Sequence, residues 1–593
     1  MRFIKFLSLF VLLACFRVEP PKAVMPIPDK KQIEWQTMEF YGFIHFGLNT
    51  FTNTEWGYGN SNPNLFNPDS LDTEQWVLTA KKAGMKGLII TAKHHDGFCL
   101  WPSNYTAYSV KNSVWKNGNG DVIKELSDAC KKHGLKLGIY LSPWDRHNAD
   151  YGRPEYITYF RNQLTELLTN YGPLFEIWFD GANGGDGYYG GSDEIRYVDK
   201  KNYYDWKNTY SIIRKLQPDA IIWSDAGPDA RWVGNEHGFA YETTWSPLIR
   251  DSIYGGMPEY ARKYAMGQEK GTHWVPAEAD VSIRPGWFYH QNEDNKVKTL
   301  KELLDIYYES VGQNATLLLN LPLDKHGLIP KTDSIQLIKL SRQLHNDFKN
   351  DLARNKQITA SNVRGNSKKY AANRVLDGDY NTYWATDDSE TRASLTIDFG
   401  KTIQFNRIVL QEYITLGQRV KSFSIAIEKN GKWQLLDTHS TIGYKRILRY
   451  PKITTERIKL TIIDARACPL ISTVQVFNAP VIVDEPIIER IKEGLVNFIS
   501  PDKGTSIYYT IDNSTPKLKG QKFEKPFMVS SPTIIKAFSY DSITQNKSEI
   551  ASKQFDISKN KWAIINLNNK NTINAIDDDF NTECSLKDKE VIL

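Results

Sequence analysis

Acidic, histidine and tryptophan residues recur directly after short apolar runs in the first 350 residues of the chain. His45 closes one run and is trailed by Glu55-Trp56; Lys93-His94-His95-Asp96 closes the next. Tyr140, Trp144 and Asp145 follow a third run, and Trp178-Phe179-Asp180-Gly181 a fourth. Trp232-Val233-Gly234-Asn235-Glu236 comes after the fifth, and Glu278, Asp280, Arg284 and Trp287 lie in and after the seventh. Glycoside hydrolysis needs two carboxyl groups flanking the scissile bond, about 5–5.5 Å apart when configuration is retained. The set contains such carboxyls, with apolar rings for sugar faces and neutral imidazoles that each offer one donor and one acceptor. His94, His95, Asp96 and Asp180 also have the donor types of a metal hydrolase. Adjacent residues on a strand point to opposite faces, which weighs against both histidines meeting one ion. A barrel that binds without catalysis is the third reading. Residue types alone leave the three open and name no sugar.

The elements that must carry these groups alternate between strand and helix over 36–345. Strand-like runs lie at Phe40–Leu48, Met85–Thr91, Leu135–Tyr140, Leu174–Phe179, Ala220–Trp223, Phe239–Trp245, Trp274–Ile283 and Thr316–Leu321. Helical patterns cover Thr73–Ala83, Asp121–His133, Pro154–Tyr171, Asp205–Leu216 and Val297–Val311, with Gly134 a stop signal after the second. Short parallel strands alternating with helices predict an α/β fold, a (β/α)8-like TIM barrel, whose active site gathers at the C-terminal strand ends. Past residue 350 helical periodicity gives way to closely spaced strand signals, so the chain is multidomain, with all-β sandwich modules following the barrel.

The 593 residues carry a net charge of +5, with basic and acidic residues interspersed, which leaves no electrostatic footprint for nucleic acid. Met1-Arg2-Phe3-Ile4-Lys5 followed by an apolar run ending in Leu12-Leu13-Ala14-Cys15 is similar to a bacterial lipoprotein signal. It predicts an exported, periplasmic or outer-membrane lipoprotein held to the membrane only through a lipid on Cys15. Cys99, Cys130, Cys468 and Cys584 are too scattered for a zinc site or a dense disulfide framework.

Several stretches together resemble glycoside hydrolase family 29, the α-L-fucosidases. They are Gly42-Phe43-Ile44-His45-Phe46-Gly47, Thr54-Glu55-Trp56, Lys93-His94-His95-Asp96-Gly97-Phe98, Tyr140-Leu141-Ser142-Pro143-Trp144-Asp145 and Trp178-Phe179-Asp180-Gly181. The resemblance implies a retaining exo-hydrolase without a catalytic cofactor, acting on fucosylated oligosaccharides or glycoconjugates. It makes Asp180 the nucleophile and His45, Glu55, Trp56, His94, His95, Tyr140 and Trp178 fucose-binding residues. Gly227-Pro228-Asp229-Ala230-Arg231-Trp232-Val233-Gly234-Asn235-Glu236 and the stretch Glu278 to Trp287 look like the subgroup selective for α-1,3/1,4-linked fucose on branched glycans. That implies Glu236 as acid/base, with Arg284 and Trp287 also contacting substrate. Glu278 is the rival acid/base, its other role being to orient Arg284 or a hydroxyl. Trp56 and Phe98 are the apolar candidates for the fucose methyl. The alternatives are broader, α-1,2-fucose or α-L-galactose specificity, or a glycan-binding protein without catalysis.

Downstream, Leu376-Asp377-Gly378-Asp379 with Asn381-Thr382-Tyr383-Trp384 resembles a discoidin-type (factor 5/8 type C) module. Many such modules hold a structural calcium, for which Asp377, Asp379 and Thr382 would supply oxygens. The sequence departs from that pattern at Ser472-Thr473-Val474, where a Glu is often found. Tyr508-Tyr509-Thr510-Ile511-Asp512 and Ser514-Thr515-Pro516 resemble the chitobiase C-terminal-like β-sandwich. The expected organisation is a signal and linker at 1–25, a catalytic barrel at 26–350, the discoidin-type sandwich at 351–480 and the chitobiase-like sandwich at 481–557. Residues 558–593 are expected to be a partial repeat of the discoidin-type module or a degenerate tail, since Ala575 to Thr582 echoes Val375 to Thr382.

Overall fold

The computed structural model describes residues 18–491, 495–529 and 531–556. The proposed lipid-bearing Cys15 and the repeat at 558–593 therefore lie outside the described residues.

Eight parallel strands form the catalytic domain: β1 (Phe40–Ile44), β2 (Gly87–Lys93), β3 (Lys136–Leu141), β4 (Leu174–Trp178), β5 (Ile221–Trp223), β6 (Arg231–Trp232), β7 (Ala277–Ser282) and β8 (Ala315–Asn320). They are ordered β5-β4-β3-β2-β1-β8-β7-β6, and a lone parallel bridge from Trp223 to Ala230 joins the two ends. The result is a TIM-like barrel. Helices α1 (Thr73–Lys82), α2 (Val122–His133), α3 (Pro154–Asn170), α4 (Trp206–Leu216), α5 (Leu300–Ser310) and α6 (Lys331–Phe348) accompany six of the strands. Asp72 and Asp121 cap the first two helices by accepting the N–H of Gln75 and Lys124, and left-handed Gly134 ends α2 as its sequence predicts.

The far side of the barrel is where the structure corrects the sequence reading. The sixth strand is Arg231–Trp232, and 239–245 is irregular. The apolar pattern of that stretch arises because it packs between the barrel and the next domain: Ala240 donates to the Glu309 carbonyl, and Thr244 and Ser246 donate their amides to Thr441 and Gln418. The seventh strand starts at Ala277, since His273–Trp274 instead pairs antiparallel with Pro247–Leu248.

The discoidin-type module is a seven-stranded antiparallel β-structure, comprising β9 (Gln357–Ala360), β10 (Trp384–Ala385), β11 (Ala393–Glu412), β12 (Val420–Lys429), β13 (Lys432–Ser440), β14 (Arg446–Ala465) and β15 (Leu470–Phe477). Trp384, Leu395, Phe405, Phe423, Ile462 and Val476 build its core. The Asp377–Thr382 loop does not fit the calcium reading. Asp377 accepts the Asp379 amide at 2.9 Å and the Thr382 hydroxyl at 2.7 Å, and Asp379 accepts the Asn381 amide at 2.9 Å. Arg374 lies 3.8 Å from Asp377, and the Arg354 guanidinium rests on Gly378 so closely that a Cβ there would sit 1.5 Å from it. The Arg374 charge and the loop's own donors thus compete with a hard cation for the Asp377 oxygens.

The barrel and this module form one compact unit, residues 18–298 and 302–479. Each has its own apolar cluster, but polar groups from both are buried where they meet. Asn314, at φ +63°, donates Nδ2 to the Thr244 carbonyl at 2.9 Å and accepts the Tyr444 amide at 2.7 Å. Gln418 reaches back from the module to the Thr244 carbonyl at 3.0 Å and accepts the Ser246 amide at 2.8 Å. The second unit, running from 480 onward, holds a three-stranded and a five-stranded antiparallel sheet around Val496, Phe498, Tyr509 and Ile535. No helix among the described residues is long and apolar enough to cross a membrane.

The buried Asn314 contacts set an expectation for stability. Asn314→Ala leaves the Tyr444 amide without its acceptor, while the Thr244 carbonyl keeps Gln418, and it removes a side chain suited to positive φ, so it should cost about 1–3 kcal/mol by chemical denaturation. An unchanged unfolding midpoint would show that barrel and module are held together elsewhere.

Candidate active site

The C-terminal ends of the strands surround a small cavity of about 100 Å³ lined by Phe43, His45, Glu55, Trp56, His94, His95, Tyr140, Trp178, Asp180, Ala182, Glu236, Asp280 and Trp287. A larger cavity of about 600 Å³ opens at the opposite, N-terminal end of the strands, beside Trp35, Lys136 and Phe175. It contains none of the strand-end carboxylates, so size does not decide between them.

Asp180 stands two residues past the end of β4. The amide of Phe179 donates to the Trp223 carbonyl at 3.1 Å, which pins the strand end, and the Asp180 carboxylate accepts from the Ala182 amide at 2.7 Å and the Tyr140 hydroxyl at 3.1 Å. Burial raises its pKa, and the two hydrogen bonds oppose the rise by favouring the anion. Gly181 lets the chain pass close to Asp225, since a Cβ there would lie 1.9 Å from that carboxylate.

Glu236 sits at the exposed lip of the cavity and accepts from Trp287 Nε1 at 3.1 Å. Its carboxyl end is nonetheless crowded by protein. Desolvation raises its pKa, the charges of Asp180 and Glu55 add to the rise, and the Trp287 hydrogen bond works against it. Trp287 is held by Glu55, whose carboxylate accepts the amides of Trp287 at 2.9 Å and Phe288 at 3.2 Å and bonds His290 at 2.7 Å. Glu55 therefore clasps the 286–290 turn as well as facing the cavity.

The three histidines are kept neutral. Burial lowers His45 and His95 to about 3, and His94 falls well below its ordinary value through burial and its two neighbours. Their partners fix which nitrogen is protonated. Ser142 donates to the Trp144 carbonyl at 2.7 Å, so it must accept from His95 Nδ1 at 2.7 Å, leaving Nε2 as an acceptor. That Nε2 lies 3.6 Å from the Asp180 carboxylate. His45 Nδ1 pairs with Asn320 Oδ1 at 2.8 Å, which likewise leaves its Nε2 as acceptor. His94 has only a long 3.5 Å contact to Asn49. Both His94 and His95 line the cavity, contrary to strand alternation, because β2 ends at Lys93 and the pair lies beyond the pleat.

Arg284, Glu278 and Phe98 are placed elsewhere. Arg284 is fully buried, with Nε and Nη2 each 2.8 Å from Asp333 and Nη1 2.8 Å from Asp294, so its guanidinium anchors α6 and reaches no substrate. Glu278 lies inside the barrel below the cavity, accepting from Trp178 Nε1 at 2.9 Å and from the Tyr41 hydroxyl, and so is not the proton donor. Phe98 packs in the core against Phe66 and Tyr108, and Phe43 supplies the apolar lining. Among the described residues no cluster of three His, Cys, Asp or Glu side chains is arranged to hold a metal.

Asp280 lines the cavity and had no assigned role. It is 4 % exposed, accepts from Trp232 Nε1 at 2.8 Å, and is held well above the usual carboxylate range by burial and by Glu236 and Glu278. A neutral carboxyl there can donate to a sugar oxygen. The signal was the two-residue period of β7, which puts Glu278, Asp280 and Ser282 on one face.

The comparisons with known proteins follow this geometry. Residues 23–347 match the family model described as Alpha-L-fucosidase. The chain belongs to the α-L-fucosidases of glycoside hydrolase family 29. It is 44 % identical over 459 residues to Alpha-L-fucosidase 1 of Arabidopsis thaliana, spanning 76 % of this chain and 87 % of that protein. A putative α-L-fucosidase structure from Bacteroides thetaiotaomicron superposes with TM-score 0.72 at 39 % identity, covering 78 % of this chain and 99 % of that one. A Ruminococcus gnavus family 29 fucosidase in complex with fucose gives TM-score 0.70 at 35 % identity, covering 78 % and 97 %. Residues 357–473 match the F5/8 type C domain and 498–555 the model described as Fn3 associated. The protein is thus an α-L-fucosidase, a glycoside hydrolase.

The Trp287–Glu236 bond predicts a pH effect with a definite sign. The bond favours the charged form of Glu236, so Trp287→Phe should raise its pKa and move the alkaline limb of kcat/KM to higher pH, because the protonated acid then persists further. A limb that stays in place or moves to lower pH would show that this bond does not tune the acid.

Proposed function

We propose that this α-L-fucosidase is a retaining exo-enzyme that removes α-1,3/1,4-linked fucose from branched, Lewis-type glycans, with Asp180 as nucleophile and Glu236 as acid/base. The observation that carries the assignment is that these two carboxyls line one cavity, Asp180 with hydrogen bonds that favour its anion and Glu236 in surroundings that favour its proton.

In the first step an Asp180 oxygen attacks the anomeric carbon. The bond to the leaving oxygen breaks, and that oxygen takes the Glu236 proton. In the second step Glu236 removes a proton from water, the water oxygen attacks the same carbon, and the bond to Asp180 breaks to restore its carboxylate. Two displacements on opposite faces retain configuration. Forming the ester neutralises Asp180, which removes part of what kept Glu236 protonated and prepares it as the base. His45, His94, His95, Asp280 and Tyr140 surround the sugar with oriented donors and acceptors, and Phe43, Trp56 and Trp178 offer it apolar faces.

Support for the linkage comes from the Gly234-Asn235-Glu236 and Arg284-Pro285-Gly286-Trp287 stretches, which resemble the branched-glycan subgroup. A branching galactose would add binding energy remote from the reacting bond. Export as a lipoprotein is part of the proposal and rests on residues 1–15 alone.

Two measurements test this. A Lewis trisaccharide should be cleaved faster than linear α-1,2-fucosyl-lactose, and the reverse order would overturn the linkage. Asp180→Gly should abolish turnover. Glu236→Ala should lose about 10²–10⁴-fold on a sugar leaving group and recover with azide on an activated fucoside, giving the β-fucosyl azide. A loss of only a few-fold in Glu236→Ala would assign the acid to another group.

A further inference from the structure

We propose that the catalytic face carries a second, outer sugar subsite, which takes a neutral sugar on the reducing-end side of the fucosylated residue. This rests on the α-1,3/1,4 linkage proposed for the inner cavity. A groove of about 360 Å³ lies among Asn60, Asn62, Tyr108, Asn112, His147 and Tyr188. These residues belong to the loops after β1, β2, β3 and β4, and the loops after β1, β2 and β4 also supply Trp56, His95 and Asp180 to the inner cavity. Trp56 and Asn60 are four residues apart, so their Cα atoms are separated by at most about 15 Å, a span that a short oligosaccharide bridges.

The wall between the two sites is rigid. Arg146, 5 % exposed, donates from its backbone to the His95 carbonyl at 2.8 Å and from its guanidinium to the carbonyls of Trp56 at 3.2 Å and Gly57 at 2.9 Å. The same guanidinium bonds the Asp186 carbonyl and carboxylate, each at 2.8 Å, so this one residue, through its backbone and side chain, ties all four loops. His147 Nδ1 bonds the Gly59 carbonyl at 2.7 Å, and the Tyr188 amide donates to the Tyr58 carbonyl at 3.0 Å. A groove fixed in this way costs little ordering when a ligand enters.

Its chemistry suits an uncharged sugar. No carboxylate, lysine or arginine lines it. Tyr108, His147 and Tyr188 form a ladder of stacked rings, with centroids 4.0 Å and 5.7 Å apart and planes at 7° and 26°. The amides beside the ladder are oriented. Asn62 Oδ1 accepts the Asn64 amide at 3.0 Å, which leaves its NH₂ to donate, and Asn112 gives its NH₂ to the Ala107 carbonyl at 2.6 Å, which leaves its oxygen to accept. Asn60 is exposed at the rim. Rings for a sugar face, with a few placed donors and acceptors, are what a carbohydrate site needs.

The test compares kcat/KM for a Lewis trisaccharide with that for the same trisaccharide extended by lactose at its reducing end, in the wild type and in Asn60→Ala and Tyr188→Ala. The extended substrate should be the better one, and each variant should lose about tenfold on it while keeping the trisaccharide rate within twofold. Asn60→Ala changes an exposed side chain, so its result does not depend on folding. Equal rates on both substrates in the wild type, or equal losses on both in the variants, would overturn the subsite. Ligand-observed NMR with the fucose-free extended oligosaccharide reads the subsite without turnover. Saturation transfer that Asn60→Ala abolishes supports it, and transfer that is missing or unchanged overturns it. Failure of the wild type to cleave either substrate would instead reject the proposed α-1,3/1,4 linkage, and the NMR result would still decide the subsite.

Discussion

The proposed mechanism requires two carboxyl groups of one cavity of about 100 Å³ to hold opposite protonation states, and the donors around them differ accordingly. Burial alone would protonate both. Asp180 is kept available as an anion by an amide and a tyrosine hydroxyl, whereas Glu236 has a single indole bond and a negative neighbour. The difference lies in the number and kind of donors, and those donors come from separate elements. Tyr140 belongs to β3, the Ala182 amide follows β4, and Trp287 follows β7.

A layer of buried polar groups beneath the cavity holds the first layer in position. Trp178 stacks on Trp223 at 3.7 Å and gives its N–H to Glu278, which also accepts from Tyr41 and is raised in pKa by burial. Glu176 beside it accepts from Trp35 Nε1 at 2.7 Å and is raised further by burial and by Glu278. A neutral Glu176 avoids a second buried negative charge beside Glu278, and the pair fixes the Trp178 ring that lines the cavity. Asn320 works the same way from β8, orienting His45 through Oδ1 while its NH₂ holds Ser282 and the Trp287 carbonyl at 2.9 and 2.8 Å.

The discoidin-type module belongs to the same compact unit as the barrel. It packs on the part of the barrel where regular structure is thinnest. β6 has two residues, no long helix lies between it and β7, and the 239–246 segment takes its hydrogen bonds from module residues such as Gln418 and Thr441. Backbone groups that a helix would have satisfied internally are satisfied across the interface instead.

Much of this was legible in the sequence. Buried strands are recognisable as apolar runs, the barrel class follows from their alternation with helices, and the strand-end rule then selects His45, Tyr140, Trp178 and Asp180 for the cavity. Those signals are local, because they depend on period, caps and residue type within a dozen positions. The tertiary structure decided what depends on partners far along the chain. Arg284 looks like a substrate ligand until Asp333, 49 residues away, is seen to hold it. Asp377, Asp379 and Thr382 offer cation oxygens by type, yet both Asp377 oxygens already accept from the loop's own donors, with Arg354 resting on Gly378. The sixth strand is two residues long, too short to show a period, and is defined only by its neighbour β7. The placement of Glu236 and Glu278 was also tertiary, because both are glutamates near strand ends. One faces the cavity and the other points into the barrel core, and only packing shows which.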